Sequence, residues 1–399
     1  MGLPLEGVRI LDMTKALSGP FATMILADMG AEVIKVEPPV RGDDTREMGP
    51  FINGESGYFI SVNRNKKGIT LDMKNLDARP VFERLLRCSD VIVENFKTGT
   101  MEKFGFGYRK VAKINPRIIY ASCSGFGRTG PYQDKPAFDI IIQAAGGMMS
   151  VTGEENKGML KAGTSIADIT AGLYLAIGIL GALIELRRTG RGQYIDISML
   201  DCQVATLENA IIQYTSSGEI PRPLGNRHPY STPFETFICK DNQAIAIAIG
   251  NNLLWNKFCS VSGYPELAEN KRFRTNVLRT KYYHDTKKVV TKIIKEKDSD
   301  EWITLFEENR IPVSRICRID QVMKNPQLQF REMFVETRHP IAGNIITAGS
   351  PLNFSLADRK PNRPAPVLGQ DSIEVFRSVL GYSDEEINRL RQKNVFYIG

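Results

Sequence analysis

The chain has 399 residues, 42% hydrophobic and 24% charged, the profile of a globular protein long enough for two domains and a sizeable core. Its net charge of +7 suits a polyanionic ligand, small molecule or nucleic acid, but no contiguous Lys/Arg stripe or stacking platform favours nucleic acid. Six singly spread cysteines exclude a disulfide-stapled secreted domain and read as reduced buried thiols, and three histidines without ligand spacing leave little material for a metal. The opening MGLPLEGVRILDM carries neither a secretory nor a myristoylation signal, so a cytoplasmic protein with no membrane partner is expected.

In chain order, Val8 to Met13 reads as an apolar strand, Ser18 to Pro20 as a turn, Phe21 to about Met29 as a helix and Val33 to Glu37 as a second strand. The alternation continues with a helix at Ala78 to Arg87, a strand at Asp90 to Glu94, a helix ending near Lys113 and a strand at Arg117 to Ser122. Strands with interposed helices predict an α/β fold with a doubly wound parallel sheet. A long Ala-, Gly- and Leu-rich helix over Asp168 to Arg188 stops at Gly190, and the strand Tyr194 to Ser198 follows. Its apolar stretch, Ala171 to Leu186, is shorter than a membrane span and reads as a buried helix.

Turn residues and prolines from Gly218 to Pro233 mark a linker. Residues 1–217 therefore form the first part of a large domain, 234–330 a smaller α+β domain opening with a hairpin that turns near Lys240 to Asn242, and 331–399 a C-terminal segment. That last segment holds extended chain from Val335 to Gly369 and a final helix at Ser383 to Arg391.

Gly125, Gly127 and Gly130 spell GxGxxG directly after a strand, yet Pro131 and Pro136 follow and no helix opens to aim its amides at a pyrophosphate. A turn or close backbone approach accounts for these glycines better. Glu37 ends a strand as a ribose-binding acid does, but the first turn lacks the glycines that NAD needs. Asp168 is the lone carboxylate at the start of an otherwise apolar helix. Two roles stay open for it: a first-turn acid stabilised by the amides and dipole, or a partly desolvated nucleophile. Asp139, in PAFDIIIQAAGG, has a similar setting. Lys35, Arg41, Arg46, Arg64, Lys66, Lys67 and Lys74 gather around loops after early strands, where doubly wound sheets bind ligands.

Many blocks in order from near residue 5 to near 370 resemble the class III CoA-transferases: LEGVRILDMT, GPFATMILADMGAEVIKVE, GDDTR, VNRNKKGITLDMK, VENFKTGTMEKFG, SGFGRTGPY, PAFDIIIQAAGG, SIADITAGLYLAIGILGAL, TGRGQYIDISMLD and PVLGQD. The resemblance implies a Rossmann-like large domain built from both chain ends, a small inserted domain, an interlocked homodimer, acyl-CoA as co-substrate without a metal, and Asp168 as nucleophile. The coenzyme positions it implies are Leu17, Ser18, Arg46, Leu71, Asp72, Met73, Lys74, Asn95, Phe96, Lys97, Lys103, Ala137 and Phe138, with Asp139 beside the chemistry. Gly250 and Asn251 would stabilise oxyanions through their amides, and Arg46 or Arg227 with His228 would hold a distal carboxylate. Leu17 and Pro38 depart from the formyl-CoA:oxalate branch, as do Ile249 to Asn252, whereas AIGNN and GDDTR resemble the succinyl-CoA:dicarboxylate branch. Racemases of the same fold place a histidine where Phe138 stands, and phenylalanine cannot titrate.

Overall fold

The computed structural model describes residues 2–357 and 362–398. The chain divides into two units: Met1–Met148 with Ala162–Ile211 and Gln327–Gly399, and Met149–Lys161 with Ile212–Pro326. The short segment Met149–Lys161, placed in the large domain by sequence, groups with the second unit for a local reason. Gly225 donates its N–H to Gly153 O at 2.9 Å, and Arg227 pairs with Glu155.

The first unit is built on a six-stranded parallel sheet. Its strands are β1 (Arg9–Asp12), β2 (Glu32–Glu37), β3 (Lys66–Thr70), β4 (Val91–Glu94), β5 (Ile119–Ser124) and β6 (Tyr194–Ser198), in the spatial order β6-β5-β4-β1-β2-β3. Every neighbouring pair is parallel. Val91 to Val93 and Ile119 to Ala121 are buried throughout, as a sheet covered on both faces requires. Alternation along each strand splits the core: Ile10, Val33 and Val93 join one cluster, while Leu11, Ile34 and Ile92 join the other on the opposite face.

The sequence reading passed over β3, because KKGIT begins with two lysines; Lys66 is nonetheless fully buried, with its ammonium on Asp12 at 3.0 Å. The expected turn at Ser18 to Pro20 is instead the start of helix α1 (Ser18–Asp28). Pro20 fits there because the first helical turn leaves its N–H groups without intrahelical partners.

Helix α2 (Asp139–Ala145) is short, and α3 (Ile166–Thr189) runs 24 residues before the left-handed Gly190 stops it at φ 72°. Ala171, Leu175, Ile179 and Leu183 bury the inner face of α3, while Leu173, Tyr174, Ile177 and Ile184 leave an apolar face exposed. At Gly172 a Cβ would lie 2.7 Å from Ser18 O, so glycine is what lets α1 and α3 meet this closely.

The second unit packs an antiparallel sheet of β7 (Phe234–Ile238), β8 (Ala244–Ala248) and β9 (Val313–Arg315) against helices that include α4 (Asn252–Val261). Trp255, Phe258, Trp302 and Phe306 form its core. Within the expected extended stretch after residue 334, Phe334–His339 and Gly343–Ala348 pair as a hairpin. Four cysteines are buried, but Cys88 and Cys317 are exposed, so burial does not describe all six thiols.

Candidate active site

In a doubly wound sheet the ligand crevice lies beyond the carboxyl ends of the strands, where the strand order reverses. Here that reversal falls between β1 and β4. The turn after β1 ends at Leu17, with Ser18 opening α1, and the loop after β4 carries Asn95, Phe96 and Lys97. Asn95 ties the two together, accepting from Lys15 N and donating to Lys15 O, both at 2.8 Å.

Buried charges hold the first turn. Asp12 accepts from Thr14 N at 2.9 Å, Thr23 Oγ1 at 2.7 Å and Lys66 Nζ at 3.0 Å. Lys66 also donates to Pro20 O, and Lys35 donates to Thr14 O at 2.9 Å and to Asp43 at 3.0 Å. Asp43 in turn accepts from Ala16 N at 3.1 Å, fixing Ala16 at a φ of 61° that a non-glycine residue adopts only when its surroundings impose it. Burial opposes the Asp12 carboxylate, but Lys66 and Lys35 outweigh it and hold the carboxyl below the ordinary range. Burial carries Lys66 down to about 8 despite Asp12. The backbone on both sides of Leu17 and Ser18 is thus clamped by side chains that never reach solvent.

Asp168 occupies the first turn of α3, facing Ser18. Burial, then the charge of Asp139, raises its carboxyl from the usual 3.8 to about 6, against the lowering effect of the Ser18 hydroxyl and backbone N–H. At neutral pH it is therefore mostly ionised, yet more basic than an exposed aspartate. Asp139 differs. Its Oδ1 accepts from Ala167 N at 3.0 Å and its Oδ2 from Gln143 Nε2 at 2.7 Å, while Gln143 accepts from Ala162 N at 2.9 Å. Asp139 therefore caps α3, the neighbouring helix that carries Asp168, rather than its own. A cavity of about 590 Å³, lined by Leu17, Phe21, Tyr58, Ser165, Ile169 and Leu173 among others, opens beside the first turn of α3.

The other positions that the sequence suggests for the coenzyme follow the strands in the chain: Leu71 to Lys74 after β3, Arg46 after β2, Ala137 and Phe138 after β5. Lys74, Lys97 and Lys103 are exposed and carry no ion pair among the described residues. Others are already engaged. Leu71 is buried, Asp72 Oδ1 accepts from Lys74 N at 3.0 Å, and Met73 packs on the core, so these offer backbone more than side chain. Phe96 donates its N–H to Glu94 at 2.9 Å. Arg46 is committed to Glu37 through two bonds of 2.7 Å and to Pro366 O, with its guanidinium 3.6 Å from the Phe59 ring; it has little left for a ligand. Phe138 is exposed at the start of α2, with no titratable group.

The glycine loop behaves as a turn: Gly127 and Gly130 have φ of 84° and 91°, and a Cβ on Gly125 would lie 2.1 Å from Ala137 Cβ. Within it Arg128 reaches back to Glu94 at 2.8 Å and Ser122 at 2.5 Å, tying the loop to the ends of β4 and β5. In the second unit, Gly250 and Asn251 are exposed at the start of α4, and Asn251 Oδ1 caps it by accepting from Leu254 N at 2.8 Å. Arg227 lies over the Tyr283 ring at 4.2 Å, 3.4 Å from Glu155, with its Nε buried and unpartnered. His228 Nδ1 accepts from Tyr230 N at 3.1 Å.

The sequence reading missed Gln143, Gly172, Cys123 and Tyr58. Gly172 has a weak signal, a glycine one turn past Asp168, though Gly178 and Gly181 recur further along the same helix. Gln143 has a weaker one, a lone amide in IIIQAA. Cys123, buried against the Ser18 hydroxyl, and Tyr58, raised by burial and then by the charges of Asp168, Asp43 and Asp139, become visible only in three dimensions.

The family model described as CoA-transferase family III matches residues 5–372. The chain is similar to the succinyl-CoA:glutarate CoA-transferase of Homo sapiens, 37% identical over 98% of this chain and 90% of the relative. It is also similar to the acetyl-CoA:oxalate CoA-transferase of Acetobacter aceti, 39% identical over 92% of this chain and 93% of the relative. A crystal structure of a CAIB/BAIF family protein from Brucella suis superposes with a TM-score of 0.84 at 35% identity, covering 94% of this chain and 99% of that one. The chain belongs to CoA-transferase family III and is an enzyme of that class.

Proposed function

We propose that the enzyme moves CoA from an acyl-CoA such as succinyl-CoA to a free dicarboxylic acid, with Asp168 as covalent nucleophile. The observation that carries this reading is a partly buried carboxylate, raised to about 6, facing the hydroxyl and N–H of Ser18 at the carboxyl edge of the sheet. An Asp168 oxygen attacks the thioester carbonyl; the carbon–sulfur bond breaks and leaves a mixed anhydride and CoA thiolate. The thiolate attacks the aspartyl carbonyl, the anhydride carbon–oxygen bond breaks, and the donor acid departs from an aspartyl-CoA thioester. The acceptor carboxylate then displaces the thiolate, which attacks the acceptor carbonyl and frees Asp168. No proton is consumed and no metal or redox group takes part in these steps.

Ser18 N–H, at the start of α1, stabilises negative charge on the aspartyl oxygen, and the amides of Gly250 and Asn251 serve the substrate oxygen. Asp139 positions Asp168 by capping α3. Leu17, Leu71 to Lys74, Asn95 to Lys97, Ala137 and Phe138 line the coenzyme's path, and Lys74, Lys97 and Lys103 meet its phosphates. Arg46, already paired, supports Glu37 instead. Arg227, with an unpartnered Nε, is the better host for a distal carboxylate than Arg46.

The apolar face of α3 at Leu173, Tyr174, Ile177 and Ile184 favours burial against a second copy in an interlocked homodimer, and six unpaired thiols suit the reducing cytoplasm. The test offers purified enzyme succinyl-CoA or acetyl-CoA with glutarate, oxalate and a panel of other mono- and dicarboxylic acids, and reads new CoA thioesters by mass spectrometry. Transfer to a dicarboxylate is expected; no exchange across the panel sinks the reading.

A further inference from the structure

The second unit contains a buried cation that the mechanism above does not use. Arg279 is fully buried and, among the described residues, no carboxylate pairs with it. Burial lowers its guanidinium to about 10, which leaves it charged at neutral pH. A buried charge persists only when hydrogen bonds replace its water, and the acceptors here are all neutral. Nε donates to Thr232 O at 2.7 Å and Nη1 to Phe273 O at 2.8 Å, while the ring of Trp255 lies 4.9 Å away.

The remaining edge of the guanidinium points at the turn that precedes α4. Nη2 reaches Asn251 O at 3.5 Å, and Nη1 and Nη2 reach Asn252 Oδ1 at 3.4 Å and 3.5 Å. These long contacts leave the charge largely uncompensated on that side. The turn is held from elsewhere too: Ile249 donates to Pro233 O at 2.8 Å, and Asn252 Oδ1 accepts from Asn276 N at 2.8 Å. Meanwhile the N–H groups of Gly250 and Asn251 donate to no acceptor among the described residues, and the space where a Gly250 Cβ would sit is open for 4 Å.

We propose that Arg279 is a positioning residue for CoA transfer: its unneutralised guanidinium, buried beneath the Gly250–Asn251 turn, presents the two free amides outward and adds positive potential behind them. This rests on the assignment of those amides to the substrate oxygen. A cation in a poorly polarisable core acts strongly on charge that develops nearby and needs no rearrangement to do so. A structural arginine whose only task is to fill the core and satisfy Thr232 O and Phe273 O has no such effect: an apolar replacement then lowers stability by orphaning those carbonyls but leaves turnover of the folded enzyme unchanged.

The test compares full-length Arg279→Met, Arg279→Lys, Gly250→Pro and the double variant Arg279→Met/Gly250→Pro, using succinyl-CoA with the acceptor that gives the fastest exchange. It reads kcat, KM for succinyl-CoA and the thermal midpoint. Arg279→Met is expected to fold and to keep KM within about 2-fold while kcat falls roughly 10- to 100-fold; Arg279→Lys, which keeps the charge, recovers part of the loss. The double variant loses no more than the worse single variant, because both act through one set of amides. Wild-type kcat in folded Arg279→Met, or a loss that only follows the folded fraction, overturns the proposal, as do losses that multiply in the double variant. Full activity in Gly250→Pro shows instead that the amide assignment beneath it has failed.

Discussion

Replacing Asp168 with asparagine separates the two roles that a first-turn carboxylate can have. The folded protein raises the Asp168 carboxyl from 3.8 to about 6, chiefly through burial and then through Asp139. A folded-state value above the unfolded one means that ionised Asp168 works against folding. The cost is absent below about pH 4 and complete above about pH 6. At roughly 1.4 kcal/mol per unit the shift amounts to about 3 kcal/mol, and residual solvent contact brings the expected effect to about 1–3 kcal/mol. Asp168→Asn keeps the shape and the Ser18 contacts but has no charge to bury. Near pH 8 it should be more stable than wild type by that amount, the gap narrowing towards pH 5, while CoA exchange falls by several orders of magnitude. Urea unfolding at the two pH values, with exchange followed in parallel, measures both. An Asp168 that only serves the helix dipole gives the opposite sign, a loss of roughly 0.5–1 kcal/mol at both pH values with exchange intact, and that outcome refutes the reasoning.

Asp139→Asn removes the charge that helps hold Asp168 up, so the acid limb of the kcat–pH profile should move to lower pH, at a cost of about 1 kcal/mol for a weakened bond to Gln143 or Ala167. An unmoved limb would show that the charge of Asp139 does not reach the reacting carboxylate. Gly172→Ala places a methyl group 2.7 Å from Ser18 O, so a loss of about 1–3 kcal/mol in unfolding free energy together with a fall in kcat is expected, because the turn that faces Asp168 must shift. Lys66→Met strands Asp12 without its ammonium partner and should cost about 3–5 kcal/mol, read from denaturant midpoints.

The parallel α/β framework is legible because β1, β2, β4 and β5 are short apolar runs between helices, and hydrophobic periodicity survives any arrangement in space. β3 escapes that logic: its outward signal is two lysines, and only the buried Asp12 explains why Lys66 belongs inside. Ser18 to Pro20 reads as a turn because glycine and proline punctuate most turns, yet a helix start tolerates both. Asp168 stands out as a lone acid in an apolar helix, whereas its dependence on Ser18 and Asp139 spans long stretches of chain that no local pattern links. Arg46 and Arg279 show the limit from opposite sides. One basic residue in a promising loop is consumed by Glu37, and another in an unremarkable helix is buried without a counter-charge among the described residues.

Covalent trapping tests the central assignment most directly. Wild-type enzyme is mixed with succinyl-CoA and quenched with hydroxylamine, which reacts with anhydrides and thioesters but not with carboxylates, and the digest is read by tandem mass spectrometry. A hydroxamate on Asp168, formed only when acyl-CoA is present, is the expected result; unmodified Asp168 with the label on Asp139 or Cys123 would contradict it.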